Sequence, residues 1–275
     1  MQTVVITGIA QGIGREVAKL LARSQMLLAG FDVDAEGIAT LQAELHALGC
    51  RHLLRTLDIT DRRGIIEFRD AVLQTFGHVD VVLSNVGIGF FGPFEEVDLE
   101  KALQCLEINV IGTAAIFQAF LPSMRAQRSG RLIAVSSLVG QIPFPFESIY
   151  AASKFAVEGL VLSLRYEVEP FGIKVALIQP AQVSTTFAAK IHKRPPRESP
   201  YWERVDRFIT RDEDLIKTAP TAAQAATEIV KVISAAHPKL HNQIDVKSKI
   251  FLALNRLLPQ AIRDAILLRQ MDISV

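Results

Sequence analysis

Three polar side chains within one stretch of 18 residues have the types and spacing to act on a single oxygen atom. Tyr150 and Lys154 are four residues apart in a segment with helical periodicity, so they lie one turn apart on one helix face. Ser137 follows the apolar run 132–135, which predicts a buried strand. A free phenol has a pKa of about 10, and a nearby ammonium lowers that pKa. Tyr150 could then exchange a proton with an alcohol or carbonyl oxygen that Ser137 also hydrogen-bonds.

The pattern Tyr-x-x-x-Lys is short, and it also has a purely structural interpretation. Tyr150 could be an amphipathic surface residue, and Lys154 a solvated helix residue. The pattern alone favours that interpretation. The choice therefore depends on the elements that surround the stretch.

A glycine-rich turn near the N-terminus is typical of a dinucleotide-binding unit. The run 4–6 predicts a buried strand, and the turn that follows it contains Thr7, Gly8, Gly12 and Gly14. Glycines let the backbone approach a pyrophosphate, and the N-terminus of the next helix faces its charge. Asp32 ends the second predicted strand, 26–31, at the distance from Gly12 where an acid binds the ribose hydroxyls of the adenosine. A plain tight turn is the alternative for this unit alone.

Strands and helices continue to alternate along the chain. Helices are predicted over 35–48 and up to about residue 76, and strands over 52–57, 79–83 and 174–178. Regular alternation of this kind predicts a parallel sheet with helices on both of its faces.

Polar or small residues follow the third and fourth of these strands. Asp58 could accept a hydrogen bond from an adenine amino group; alternatively, it caps the next helix. Gly87, in the sequence Ser84-Asn85-Val86-Gly87, suits a close approach of the backbone to a ligand.

Asn109 lies near the middle of a long helix predicted over 99–125. Asparagine is a poor residue inside a helix, because its side chain competes for backbone hydrogen bonds. The functional interpretation is a polar group that holds a water near Lys154; the alternative is an exposed or capped asparagine.

The C-terminal part of the chain has a different texture. Residues 186–220 resemble a long insertion and predict a lid beside the site; the basic run 193–197 within it is interpreted as solvated surface. A helix over 221–235 and a short strand over 243–246 close the sheet. The amphipathic tail, 247–275, is expected to be core or lid, with contact to a membrane surface as the less favoured alternative.

Composition narrows the class of protein. The 275 residues are 49% apolar, enough to bury a large core, and the net charge of +1 gives no support for a nucleic-acid partner. The two cysteines, Cys50 and Cys105, are isolated and have no metal-ligand spacing, so we expect no metal site and a reducing, cytoplasmic location. The first strand begins almost at Met1, and the sequence has no apolar run of about 18 residues, so neither a leader nor a spanning helix is expected.

Together these residues resemble the short-chain dehydrogenase/reductase family over residues 3–187. The resemblance implies that Asp32 marks a preference for NAD(H), with NADP(H) as the alternative. It implies a catalytic tetrad of Asn109, Ser137, Tyr150 and Lys154. It also implies that the cofactor is bound by Thr7, Gly8, Gln11, Gly12, Ile13, Gly14, Asp32, Asp58, Ile59, Asn85, Gly87, Tyr150, Lys154, Pro180, Val183 and Thr185.

Two positions depart from the family pattern. Val86 stands where the family usually has alanine, and Ala181 follows Pro180 where the family usually has glycine. Neither change removes a catalytic group. The stretch 150–159 and the long C-terminal part are most similar to the branch that acts on retinoids, steroids and other bulky apolar alcohols.

The expected fold is a single doubly wound α/β domain of Rossmann type, with about seven parallel strands. The expected activity is hydride transfer between NAD(H) and a bulky, apolar secondary alcohol or ketone. An NADP(H)-dependent reductase, with Arg15 at the phosphate, is one alternative, and a non-catalytic dinucleotide sensor is another. Six aromatic residues in loops predict an apolar pocket: Phe90, Phe91, Phe94, Phe144, Phe146 and Trp202.

Assembly is predicted from the same resemblance. Family members often pair the helix around Asn109 and the helix after Tyr150 across a two-fold axis, so a homodimer or homotetramer is expected. Both helices carry apolar residues beyond one stripe, including Ile111, Ala115, Phe117, Val161 and Leu164.

Overall fold

A computed structural model describes residues 1–185, 187 and 194–273, with Arg256 described by its backbone alone. Seven strands form one sheet in the order β3-β2-β1-β4-β5-β6-β7, and every neighbouring pair is parallel. The strands are β1 (Thr3–Thr7), β2 (Leu27–Asp32), β3 (His52–Thr56), β4 (Val81–Ser84), β5 (Gly130–Val135), β6 (Ile173–Ile178) and β7 (His241–Asn242).

Helices cover both faces of this sheet. The strands β1, β2 and β4 are buried along their whole length, as expected for parallel strands between two helical layers. The helices are α1 (Gly12–Arg23), α2 (Ala35–Ala47), α3 (Arg62–Phe76), α4 (Leu99–Leu106), α5 (Gly112–Gln127), α6 (Ser148–Val168), α7 (Trp202–Lys217), α8 (Ala222–Ser234), α9 (Val246–Leu257) and α10 (Gln260–Gln270). This architecture confirms the predicted doubly wound α/β fold.

The core has one apolar cluster on each face of the sheet and a third beside its carboxyl edge. On one face α1, α2 and α8 pack on the strands, and on the other face α3, α5 and α6 do so. The third cluster joins Tyr150 to Phe208 of α7, Leu252 of α9 and Met271 after α10. The C-terminal elements thus pack beside the predicted catalytic residue.

The strand order reverses between β1 and β4, which are neighbours in the sheet but not in the sequence. β1 leads outward to β2 and β3, whereas β4 leads in the opposite direction to β5 and β6. Ligands of open α/β sheets bind in the crevice at the carboxyl ends of strands at such a reversal. The glycine-rich turn after β1 and the residues after β4 both lie there.

Two predicted elements differ from the structure. The last strand is His241–Asn242 and not 243–246, because α9 begins at Val246 and only two residues pair with β6. The long helix extends over Leu99–Gln127 but is interrupted by a π-helical turn, Glu107–Ile111, around Asn109. A side chain that bonds outside its own helix offers a physical reason for that turn.

The same long helix qualifies, by length and composition alone, as one that could cross a membrane. Of its most apolar window, 44% is buried inside the fold. Core helices of soluble proteins satisfy the same criterion, so this feature is weak evidence in either direction.

Two of the residues predicted at a subunit interface belong to the core. Phe117 and Val161 are fully buried against the sheet, because they lie on the inner faces of α5 and α6. Ile111 is exposed, and Ala115 and Leu164 are partly exposed. Of the predicted lid, residue 186 and residues 188–193 lie outside the described residues; α7 is a helix packed on the third cluster.

Candidate active site

The glycine-rich turn forms a backbone cradle between β1 and α1. Gly8 and Gly12 have φ values of +68° and +55°, a region that residues with a side chain rarely adopt. A Cβ atom on Gly14 would lie 2.1 Å from the carbonyl oxygen of Gly8, so this position requires glycine for space. Helix α1 begins at Gly12, and the first N–H groups of a helix are free to bind an anion.

Asn85 and Thr7 fasten this turn to the end of β4. The Thr7 hydroxyl accepts hydrogen bonds from the backbone N–H groups of Asn85 (3.0 Å) and Val86 (3.2 Å). The Asn85 side-chain amide donates to the carbonyl oxygens of Thr7 (3.2 Å) and Gly8 (3.1 Å). Thr7 and Asn85, which are both predicted to bind the cofactor, therefore fix the conformation of the turn.

Asp32 is buried at the carboxyl end of β2. Its carboxylate accepts from the backbone N–H groups of Ala10 and Asp34, both at 3.1 Å. Each carboxylate oxygen has further lone pairs, so it can also accept from a ligand hydroxyl.

Arg15 is bound away from this carboxylate. Its guanidinium donates to the carbonyl oxygens of Ala10 (2.8 Å) and Gly37 (3.1 Å) and forms an ion pair with Glu44 (3.0 Å). Arg15, which was considered as a partner for the 2′-phosphate of NADP(H), thus joins α1 to α2.

Asp58 does not cap the following helix, so the capping role considered from the sequence is wrong. Asp61 is the N-cap residue of α3 and accepts from the N–H of Gly64 at 2.9 Å. Asp58 instead forms a local turn by accepting from the N–H and the hydroxyl of Thr60, each at 2.8 Å. Its side chain is exposed at the edge of the cavity described below.

Ser137 and Tyr150 are in direct contact. The Tyr150 phenol shares a hydrogen bond with the Ser137 side chain, which also accepts from the N–H of Val139 at 3.2 Å. Burial raises the pKa of Tyr150 above its ordinary value, the charge of Glu147 raises it further, and the bond to Ser137 opposes both effects. The sequence predicts that Lys154 lowers the pKa of Tyr150. In this structure Lys154 has no such effect on that pKa.

Lys154 lies one helical turn after Tyr150 and is almost fully buried. Its ammonium donates to the carbonyl oxygen of Val135 at 2.9 Å and lies 5.6 Å from the centre of the Tyr150 ring. Burial lowers the pKa of Lys154 to about 8, against smaller opposing effects of Cys105 and Glu158. A buried ammonium whose pKa is lowered towards neutral is an arrangement typical of functional sites.

Asn109 holds the site together through its side-chain amide. Its Nδ2 donates to the carbonyl oxygen of Ile88 (2.8 Å) and to the Ser153 hydroxyl (2.9 Å), while its Oδ1 accepts from the Ile88 N–H (2.8 Å). Ser153 in turn donates to the carbonyl oxygen of Tyr150 at 2.7 Å. The amide thus ties the loop after β4 to the catalytic turn of α6; the water-holding role stays a prediction.

One cavity of about 570 Å³ brings most of the predicted residues together. Three of them, Thr7, Gly14 and Asn109, do not line it. Those that line it are Gly8, Gln11, Gly12, Ile13, Asp32, Asp58, Ile59, Asn85, Gly87, Ser137, Tyr150, Lys154, Pro180, Val183 and Thr185.

The aromatic prediction is right for two of its six residues. Phe91 and Phe144 are buried and line a second, smaller cavity next to Tyr150. Phe94 is exposed, and Trp202 lies under the guanidinium of Arg197. Phe146 packs edge-on against Phe208, and Phe90 lines neither cavity.

Sequence reasoning missed two groups of buried acids. Glu147 and Asp212 line the smaller cavity. Glu158, one turn after Lys154, accepts two hydrogen bonds from Gln179, at 2.9 and 3.0 Å. Only the short distance in sequence of Glu147 and Glu158 from Tyr150 and Lys154 could have indicated their place, because burial of a single acid leaves no pattern in a sequence.

Comparison with known proteins identifies the family. The family model described as short chain dehydrogenase matches residues 2–196. The chain belongs to the short-chain dehydrogenase family. It is 30% identical to retinol dehydrogenase 8 of Bos taurus over 273 residues (94% of this chain, 86% of the relative). It is 38% identical to 17-beta-hydroxysteroid dehydrogenase type 1 of Homo sapiens over 246 residues (85% and 73%).

Solved structures of short-chain dehydrogenases share the fold. One from Burkholderia phymatum, in complex with NAD, superposes with a TM-score of 0.81 at 25% identity and covers 93% of each chain. An alcohol dehydrogenase from Thermococcus sibiricus, complexed with 5-hydroxy-NADP, gives 0.74 at 25% identity and covers 88% of this chain and 94% of that one. The protein is therefore an NAD(P)-dependent oxidoreductase that acts on CH–OH groups, and its retinol- and steroid-dehydrogenase relatives confirm the predicted branch.

Proposed function

We propose that this short-chain dehydrogenase transfers a hydride between NAD(H) and a secondary alcohol or ketone on a bulky, apolar molecule. The observation that carries the proposal is the hydrogen-bonded pair of Ser137 and Tyr150, with Lys154 beneath it, on one wall of the cavity that the glycine-rich turn also lines. A proton-transfer group, its orienting partner and a dinucleotide cradle thus share one space.

The residues around β1 and β2 fit a nicotinamide dinucleotide. The backbone of the glycine-rich turn would hold the pyrophosphate, and Asp32 would accept from the adenosine ribose. When bound, the cofactor accepts the hydride in oxidation and supplies it in reduction. Asp32 at the cavity wall and the ion pair of Arg15 with Glu44 both favour NAD(H), because a carboxylate repels a 2′-phosphate and the nearby guanidinium is already used.

The chain's own groups then move the proton. In oxidation, the phenolate form of Tyr150 takes the hydroxyl proton and becomes the phenol as hydride leaves the carbinol carbon for the cofactor; in reduction, the phenol returns that proton to the carbonyl oxygen and becomes the phenolate. The Ser137 hydroxyl hydrogen-bonds the same substrate oxygen and fixes its position. The pKa of Tyr150 in this structure is set by burial, Glu147 and Ser137, so we expect Lys154, whose Nζ lies 5.6 Å from the centre of the Tyr150 ring, to stabilise the phenolate only once that form is generated.

An apolar substrate fits the wall beyond Tyr150. Phe91, Phe144 and Phe187 line the smaller cavity, and Tyr150 packs against Phe187 with ring centres 6.1 Å apart. Removing apolar surface from water contributes about 25 cal/mol per Å², so a steroid- or retinoid-sized alcohol gains more than a short one.

The test is a graded series of secondary alcohols at fixed NAD concentration, read by NADH absorbance. We expect kcat/KM to rise with the apolar area of the alcohol. Tyr150→Phe should lower turnover of each alcohol at least about 100-fold, because it removes the proton acceptor, while NADH binding changes little. A preference for small polar substrates such as sugars, or a Tyr150→Phe variant that turns over at the wild-type rate, would contradict the proposal.

A further inference from the structure

The smaller cavity, of about 90 Å³, opens beside the catalytic pair. It shares the side chains of Ser137, Tyr150 and Phe187 with the larger cavity, so the two meet at the reacting end of the site. Most of its remaining wall is apolar, from Leu138 and Val139 to Phe144 and Ile216. The exceptions are three polar side chains: Glu147, Gln182 and Asp212.

Glu147 is buried, with 6% of its surface exposed, and it faces this cavity. Within the described part of the chain, its carboxyl group makes no hydrogen bond, although its backbone carbonyl accepts from Ala151. Buried polar groups nearly always have a hydrogen-bond partner, and leaving one without a partner costs free energy. A hydrogen-bond partner on a bound ligand would account for a carboxyl group that is buried in this position.

The backbone before Glu147 adopts a rare conformation. Phe146 has a φ of +63°, in the left-handed region that a residue with a large side chain seldom occupies. Its carbonyl oxygen accepts from the N–H of Gly92 at 2.9 Å, and its ring packs edge-on against Phe208. Strain of this kind is retained where the surrounding contacts enforce it, and here it directly precedes the cavity-facing acid.

Asp212 of α7 gives this wall a second acid. It is buried and accepts from the side-chain amide of Gln182 at 3.0 Å. Burial, and then the charge of Asp212, raise the pKa of Glu147 well above its usual range. A neutral carboxyl group can both donate to and accept from a ligand oxygen.

The chemistry of the wall restricts the ligand. Among the residues that the structure describes, no lysine, arginine or histidine lines this cavity, so an anionic group has no counter-charge there. An ammonium group would lose its hydration in a mostly apolar space, and an ionised carboxylate would have to compensate for that cost, whereas burial favours the neutral form of Glu147. A neutral hydroxyl group matches a carboxyl partner without either cost.

We propose that Glu147 binds a second hydroxyl group of the substrate, close to the carbinol that reacts at Tyr150. The inference rests on the proposed function and specifies its substrate as a hydroxylated apolar alcohol. Glu147 directly precedes α6, three residues before Tyr150, and both side chains line the same small cavity, so the two substrate oxygens must lie near each other. Hydroxyl groups in a 1,3- or 1,4-relation on one ring meet this requirement.

The experiment uses three probes that share one ring: cyclohexanol, cis-1,3-cyclohexanediol and cis-3-aminocyclohexanol. We expect the wild-type enzyme with NAD to show a kcat/KM for the diol about tenfold above that for cyclohexanol, after division by two for its two carbinols. Glu147→Leu should bring this ratio close to one, and Glu147→Gln should retain several-fold preference because an amide still hydrogen-bonds. Glu167→Leu, an exposed acid on the same helix, is the matched control and should keep the wild-type ratio.

Several results would overturn the inference. The inference is wrong if the ratio of kcat/KM for the diol to that for cyclohexanol is near one in the wild type or is unchanged in Glu147→Leu. It is also wrong if the wild type prefers the amino alcohol. The wild-type ratio is informative even if no variant folds. If the wild type turns over none of the three small probes, the proposed function is still decided by the graded series of larger alcohols, so the two failures are distinguishable. Calorimetric titration of the NADH complex with the diol and with cyclohexanol then decides the hydroxyl subsite without turnover, since equal affinities would reject it.

Discussion

Lys154 keeps an ammonium group in the interior of the protein, where its charge is poorly solvated. Because the pKa is lowered to about 8 in the folded state, the unfolded chain binds more protons than the folded chain between pH 8 and 10.5. The free energy of unfolding therefore rises with pH across that window, and the penalty is largest below pH 8. Lys154 therefore reduces the stability of the fold at neutral pH.

Replacing this lysine by an apolar residue of similar length should separate stability from activity. We expect Lys154→Met to increase the free energy of unfolding at pH 7 by about 3 kcal/mol, the equivalent of the lowered pKa, while turnover is lost. The gain should shrink to nearly zero by pH 10.5. Urea unfolding at several pH values measures it, with Lys249→Met, at an exposed position, as the control. A Lys154→Met protein less stable than the wild type at pH 7 would contradict the buried charge.

Asp32 carries the second prediction at the scale of single residues. We expect the wild type to bind NADH more tightly than NADPH, because the carboxylate accepts from a ribose hydroxyl and repels a phosphate. Asp32→Ala, and the isosteric Asp32→Asn, should narrow the difference by about tenfold, which is about 1.4 kcal/mol. Asn keeps an acceptor for the N–H of Ala10, so it separates charge from shape. Fluorescence titration with both cofactors is the measurement; equal or tighter NADPH binding by the wild type would reject the preference.

At the scale of elements, the regular strands were predictable and the interrupted helix was not. Runs such as 4–6 and 174–178 are buried on both faces, so their apolar character alone indicates strands. Asn109 was recognisable as a poor helix residue, but the π-helical turn depends on its bonds to Ile88 and Ser153, which are distant in sequence. The two-residue strand β7 was misplaced because so short an element has no periodicity.

The turn between β1 and α1 supports a prediction about space. Gly14→Ala would place a methyl carbon 2.1 Å from the carbonyl oxygen of Gly8, and backbone atoms cannot move aside cheaply. We expect a loss of about 1–3 kcal/mol in the free energy of unfolding and weaker NADH binding. Gly159→Ala in α6 is the matched control, because its new carbon meets no atom within 4 Å, and it should stabilise the helix by up to about 1 kcal/mol. Equal unfolding curves and NADH affinities for Gly14→Ala and the wild type would disprove the clash.

At the scale of the whole molecule, the residues of the site that could not be predicted from the sequence are those that only the packing of distant elements buries. Ser137, Tyr150 and Lys154 could be predicted to share one cavity because they lie close together along the chain. Glu147 and Asp212 are 65 positions apart, and nothing in the sequence distinguishes either of them from an exposed acid. They come together only because α7 packs at the end of the sheet. The same lack of burial information led to Phe117 being placed at an interface, although it is a core residue.

Association of the whole molecule is the remaining prediction. Leu99 and Leu103 on α4 are 72% and 61% exposed, and Phe155 on the adjacent α6 is 43% exposed, so this face can bury apolar area in a partner. We expect a homodimer or homotetramer, and we expect Leu103→Glu combined with Phe155→Glu to produce a monomer that still melts cooperatively. Light scattering at micromolar concentration measures the assembly, with Leu257→Glu, on the distant α9, as the control. A wild-type protein that is monomeric under these conditions would refute the prediction.

The ion pair between Arg15 and Glu44 has a consequence for anyone who wishes to redirect the enzyme to the phosphorylated cofactor. A library that varies Asp32 alone removes a repulsive charge but leaves the guanidinium of Arg15 bound to Glu44 and to the carbonyl oxygen of Gly37 on α2. Varying Glu44 together with Asp32 releases that guanidinium, at the cost of a partly exposed bond between two helices. We therefore expect cofactor choice to depend on two positions in different elements, so directed evolution should vary both together.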